Sequence, residues 1–287
     1  MSRSSCSKLA RLTSALILLG VMYSLASAEV NHLTGRAPKR VISIDYCADQ
    51  YLLKLGTPGQ ILGVSPKSTA PFSFMRFEAK NFNKVRPTPE ELLALKPDLI
   101  IRSFGGGIST NKFLRQHEIP VLQIGLLDSV EEINQTILNV SKALGNDDLG
   151  IALVNESNRR LLSIARVEKK STAIYIAAGG VTTGKGTLVH DIMSKGNLRN
   201  IIDSQGWSDI PLEQLVSLRP NIIVHSYLDD LTTNSGKWSS IHHPVTKRFL
   251  KQNKTIAIPP ALVSCGGWYS IDAIEMISGV KMENTIH

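Results

Sequence analysis

Glu90–Ser103 reads EELLALKPDLIIRS, and Glu213–Ser226 reads EQLVSLRPNIIVHS. Six of these 14 aligned positions are identical and the other eight are close swaps, among them Lys96/Arg219, Asp98/Asn221 and Arg102/His225. The copies start 123 residues apart. Each reads as a short helix with one apolar face, ended by a basic residue and a proline, because proline disfavours helix in the residue before it. A four-residue apolar run follows, the pattern of a strand buried on both faces. The spacing is too long for a solenoid repeat and implies two similar α/β lobes in one chain.

Working outward, strands are expected at Val41–Ile44, Ile61–Val64, Leu99–Arg102 and Val121–Ile124 in the first half. Helices fall between them at Ala48–Leu55, at Glu90 onward behind the capping box Thr88-Pro89-Glu90-Glu91, and from Ser109 to His117, with Val130–Leu144 after the last strand. Ser65–Pro87 is a long irregular loop, a kind that is usually functional or mobile. Asp147–Lys169 reads as one long helix of roughly 34 Å at 1.5 Å per residue, a bridge between lobes. The alternation then restarts with strand Thr172–Ala177, a Gly-rich loop Gly179–Gly186, helix Thr187–Lys195 and strand Asn200–Asp203. Strand Ile222–His225, a second long loop Ser226–His243, a helix near Val245–Gln252, strand Thr255–Ile258 and a helix from Trp268 complete the chain. Strands alternating with helices in both halves predict two Rossmann-like lobes with parallel sheets joined by a single long α-helix, with a ligand cleft between them. The expected divisions are a signal segment 1–28, a first lobe 29–146, a connecting helix 147–170 and a second lobe 171–287.

The first 28 residues carry Arg3, Lys8 and Arg11, then the apolar run Leu12–Leu25, then Ala26-Ser27-Ala28. This is the layout of a secretory signal peptide cleaved after Ala28, and the run is short of the roughly 20 residues of a membrane span. Without that segment 29 basic residues face 24 acidic ones, a net charge of +5. That permits an anionic ligand, and no basic run with interleaved aromatics points to nucleic acid. Cys47 and Cys265 remain of the three cysteines. In an oxidising compartment they either bridge, stapling the lobes, or stay apart as small buried residues or soft ligand contacts; the sequence leaves both open.

In open α/β sheets ligands bind beyond the carboxyl ends of the strands. That rule selects Tyr46, Arg102 and Phe104 in the first half, with Lys185, Trp207, Tyr227, Trp238 and Trp268 in the second. Rings and cations together suit a bulky, partly aromatic, anionic ligand. Gly180 to Thr187 superficially matches a phosphate loop but has no Ser or Thr directly after Lys185. The seven histidines show no HxH or HExxH spacing, so no metal site of the protein's own is expected.

The segments RVISIDYCADQ, PEELLALKPDLII, TTGKGTLVHDIM and GWSDIPLEQLVSLRPNIIV, with the signal peptide and central helix, resemble the periplasmic substrate-binding proteins of ABC importers for ferric siderophores, cobalamin and haem. The resemblance covers essentially the whole chain after the signal. It implies two lobes joined by one rigid helix, no permanently bound cofactor, and metal arriving only within a transported chelate. It implies a monomer in the periplasm that hands a ferric siderophore, or alternatively cobalamin or haem, to an inner-membrane ABC permease. It also implies permease docking for Glu90 and Glu213, which occupy the same first-turn helix site in the two repeats. Trp207 matches a cleft-facing tryptophan of cobalamin-binding members, but its counterpart in the first repeat is Lys84, so the clamp is not symmetric. An exported Rossmann-like enzyme is the rival class, and neither a GxSxG elbow, a GxGxxG fingerprint nor a paired-carboxylate motif supports it. A binding protein that reports to a sensor is the second rival.

Overall fold

The computed structural model describes residues 37–103, 108–165, 169–177, 180–210, 219–226 and 244–279. In the first half, strands β1 (Val41–Ser43), β2 (Ile61–Gly63), β3 (Leu99–Arg102) and β4 (Val121–Gln123) form a parallel sheet in the order β2-β1-β3-β4. In the second half, β5 (Ser171–Ile176), β7 (Leu198–Asn200), β9 (Ile222–His225) and β10 (Lys254–Ala257) form a parallel sheet in the order β7-β5-β9-β10. The two orders are the same once each strand is numbered within its own sheet. The repeated stretches supply the third strand of each, and every residue of both strands is buried. That double-sided burial is why LIIR and IIVH carry no alternation.

The repeat is reproduced bond by bond. Lys96 and Arg219, the residues before the prolines, both take left-handed backbone, with φ of 46° and 40°. In the first repeat the helix is therefore broken at Lys96 by a left-handed residue rather than by the extended one that a following proline favours. The Asp98 carboxylate accepts from the backbone N–H of Lys39 (2.8 Å) and Arg40 (2.9 Å), and its own N–H donates to the Arg40 carbonyl. Asn221 does the same for Thr172, accepting from its N–H at 3.3 Å and donating to its carbonyl at 2.9 Å. At the other end of the strands, Ile124 N–H donates to the Arg102 carbonyl and Ile258 N–H to the His225 carbonyl.

Helices α1 (Tyr46–Leu55), α2 (Pro89–Leu95), α3 (Ile108–Gln116) and α4 (Val130–Leu144) surround the first sheet. Asp45, Thr88 and Ser129 cap α1, α2 and α4 by accepting from backbone N–H groups of the first turn. Helix α5 (Asp147–Ser163) packs along α4, and α6 (Leu188–Lys195), α7 (Pro244–Gln252) and α8 (Ser270–Ser278) belong to the second half. The long helix is shorter than its sequence suggests: it stops at Ser163, where Ile164 turns extended and buries its side chain. At 17 residues it spans roughly 26 Å. Arg160 near its end holds Glu275 through both oxygens (2.8 and 2.6 Å) and Asp272 (2.6 Å), fixing α5 to α8.

Two further boundaries differ from expectation. The stretch read as a Gly-rich loop contains β6 (Val181–Thr183), paired antiparallel with β8 (Trp207–Asp209). Gly184, just after β6, lies so close to Ser204 that a Cβ there would meet its carbonyl oxygen at 1.9 Å. The strand expected at Asn200–Asp203 ends at Asn200, whose side-chain amide donates to the Thr183 carbonyl and whose oxygen accepts from Ile202 N–H. Asn200 thus closes the strand and ties it to β6. Among the described residues, no helix is long and apolar enough to cross a membrane.

Candidate functional site

The carboxyl ends of β1, β3 and β4 open onto a cavity of about 590 Å³. Its first-half wall is built by Ile44–Cys47 and Tyr51, by Ser65–Lys67, Pro87 and Ser103, and by Ile124–Asp128; its second-half wall by Leu188, Val189, Trp207 and Val263–Gly266. The wall is mostly apolar. Among the described lining residues the charged ones are Asp45, Lys67 and Asp128.

Asp45 is held too firmly to act as a ligand contact. It caps α1, accepting from Cys47 N–H (3.1 Å) and Ala48 N–H (2.9 Å), and also takes Ser103 N–H and Ser103 Oγ, both at 2.6 Å. It therefore locks the end of β1 to the end of β3. One turn on, Asp49 is fully buried, accepting from the Ser43 hydroxyl and from Ser65 N–H (2.9 Å) and Ser65 Oγ (2.5 Å). Burial pushes its carboxyl up to about 7, against the lowering effect of the serine hydrogen bonds. Asp128 is also raised, first by burial and then by Glu132.

Tyr46 lines the cavity with its ring edge-on to Phe72 at 4.8 Å; burial, then Asp45, raises its phenol. Trp207 stands on the opposite wall, 54% exposed, its ring edge-on to Tyr175 at 6.0 Å. The Tyr175 hydroxyl meets Ser226 Oγ at 2.5 Å, and burial pushes its phenol up to about 12. Cys47 and Cys265 are joined in a disulfide, and both face the cavity. Beside it, Tyr51 Oη donates to the Gly266 carbonyl at 2.9 Å.

The structure places three candidate residues elsewhere. Arg102 is 4% exposed and does not reach the lining, because its strand is covered on both faces; burial lowers its guanidinium and Asp45 partly offsets this. Lys185 points to solvent and pairs with Asp203 at 2.9 Å, since the β6–β8 pair carries it away from the cavity. Trp268 is packed into a ring cluster with Tyr51, Phe74 and Tyr269. Phe104, Tyr227, Trp238 and Glu213 lie outside the described residues. Glu90 is exposed in the first turn of α2.

Among the stretches of the wall with no counterpart among the candidates, two bear on the ligand. Gly125–Asp128 follows β4 and lies where the strand-end rule points, so it was open to the same reasoning. Lys67 lies in the long loop after β2, whose irregular sequence gives no register to single it out. Among the described residues, no cluster of His, Cys, Asp and Glu is arranged to hold a metal ion.

Paired parallel sheets of equal strand order, with a cavity at the strand ends of the first that the second half closes from the other side, define the two-lobed class of solute-binding proteins. The chain belongs to the periplasmic binding protein family, whose profile matches residues 41–261. Among solved structures it is similar to a periplasmic haem-binding protein from Roseiflexus sp. RS-1, with TM-score 0.68, 17% identity, and coverage of 84% of this chain and 98% of that one. It is similar to a periplasmic haem-binding protein from Pseudomonas aeruginosa, with TM-score 0.63, 18% identity, and coverage of 84% and 92%. It is also similar to the periplasmic vitamin B12-binding protein of Vibrio cholerae, with TM-score 0.62, 18% identity, and coverage of 84% and 96%. Identities this low carry the fold, not the ligand. Among curated proteins there is no match.

Proposed function

We propose that this protein is exported, loses residues 1–28, and acts without catalysis as a monomeric carrier. It captures a metal chelate and delivers it to an inner-membrane ABC permease. The observation that carries the cargo class is the lining of the cavity. With Arg102 and Lys185 outside it, Lys67 faces the cavity together with Asp45 and Asp128. Against the described wall, a chelate of concentrated negative charge would lose its water to two acids and one base, and an unpaired buried charge is costly. A bulky chelate near neutrality, with apolar surface to bury, suits this wall. The reading is a ferric siderophore of the hydroxamate class. Haem or a corrinoid is the second reading, favoured by the exposed Trp207 ring, which offers a flat face for stacking.

The test is tryptophan fluorescence of the mature protein titrated with a ferric trihydroxamate, a ferric tris-catecholate, haem and cobalamin. Saturable quenching by the trihydroxamate at micromolar or tighter affinity, lost in Trp207→Phe and absent with the anionic catecholate, is the expected result. Tight binding of the catecholate would overturn the charge argument. Tight binding of haem or cobalamin alone would select the second reading.

A further inference from the structure

Cys47 is the second residue of α1, and Cys265 lies in the segment leading to α8, 218 residues away. Their bond is part of the cavity wall, and it joins the half of that wall built from the first sheet to the half built from the second. The same segment is pinned twice more. Tyr51, one turn along α1 from Cys47, donates to the Gly266 carbonyl. Gly266 packs so tightly that a Cβ there would lie 2.8 Å from Leu127 Cβ. Behind the wall, Phe74 stacks on Tyr269 at 4.3 Å. The two halves therefore have a covalent tie in addition to the chain that runs between them. Two bodies tied at two separate points keep only rotation about the line joining the points. Because one tie is in the wall itself, that rotation leaves the cavity at the disulfide unchanged.

We propose that the Cys47–Cys265 disulfide fixes the width of the cleft at its own end of the cavity, so that cargo seated there is selected by size. Pre-organisation of this kind removes the cost of ordering the site on binding. It also removes the adaptability that a closing cleft has toward larger ligands. The inference rests on the chelate-binding reading for its selectivity, but the fixed width is a property of the protein alone.

The experiment compares the oxidised mature protein with a Cys47→Ser/Cys265→Ser variant. Reduced and alkylated wild type serves as a second comparison should the variant fold poorly. Amide hydrogen exchange is followed at residues 262–266, where Leu262, Val263 and Ser264 donate to backbone carbonyls. Binding is then measured for ferric trihydroxamates graded in size. Breaking the bond is expected to speed exchange at 262–266 about tenfold or more. It should also reduce the oxidised protein's preference between the smallest and largest chelates, from about tenfold to about twofold or less. Unchanged exchange in both broken forms would overturn the proposal. So would faster exchange with an unchanged size preference, because the bond would then hold the loop without setting the cavity. No chelate bound by any form would overturn the chelate reading, and with it the size selection, whatever the exchange at 262–266 shows.

Discussion

Asp49 shows how a single side chain at the site depends on residues far along the chain. In sequence it is an acid in the first turn of a helix, where the dipole alone would stabilise its charge. In the fold, Ser43 and Ser65 enclose it, and burial dominates, raising it to about 7. A carboxyl that binds its proton more tightly when folded makes stability fall as pH rises. The loss begins near the unfolded value of 3.8 and is complete above about 7. Its slope is at most about 1.4 kcal/mol per pH unit. Thermal melts should therefore show a decline from pH 5 to pH 8 that Asp49→Asn flattens, since the amide cannot ionise; a decline of equal size in the variant would assign it to other groups. Trp207 carries the corresponding expectation for binding. Its exposed ring has little to do for the fold, so Trp207→Ala should leave the melting temperature nearly unchanged. Cargo affinity should weaken about tenfold or more by calorimetric titration, as for an aromatic anchor.

The repeated segments are legible in the sequence because their function in the fold is local. A short helix, a break and a doubly buried strand need only fourteen residues to specify, and Leu99–Arg102 and Ile222–His225 fall where the pattern puts them. The parts that were not legible depend on distant partners. Trp207–Asp209 is a strand because Val181–Thr183 lies beside it, and neither stretch has a strand pattern long enough to announce itself. The end of α5 is set by the burial of Ile164, which helical periodicity alone does not show. At the cavity, Tyr46 and Trp207 followed from the strand-end rule, whereas Lys67 did not, because an irregular loop has no register to project. The Arg160 tie is equally distant, joining α5 to α8 across 112 and 115 residues. Arg160→Leu would leave Asp272 and Glu275 partly buried without their cation. The expected cost in urea unfolding is about 2 kcal/mol, below the 3–5 of a fully buried pair because the arginine side chain keeps 23% of its surface. A cost under about 0.5 kcal/mol would show that water replaces the pair at little loss.

If the protein is the carrier proposed above, it must be recognised as well as loaded, and recognition would fall on its outer surface. Glu90 lies exposed in the first turn of α2, with Leu93, 42% exposed, one turn further along. Glu213 occupies the same place in the second repeat's sequence. On the docking reading, two acids in equivalent positions of the two repeats would make a pair of contacts for a basic membrane partner. Surface charges of this kind set encounter and register more than they set internal stability. Glu90→Lys and Glu213→Lys, singly and together, should therefore leave chelate affinity within about twofold, since Glu90 is not part of the cavity's wall and the docking reading gives Glu213 the same role. Chelate uptake into cells should fall with each change and be lost in the double variant, since reversing a charge turns attraction at the docking surface into repulsion. Uptake that persists in the double variant, with binding intact, would separate capture from import and leave a ligand-reporting role as the better account of the same cavity.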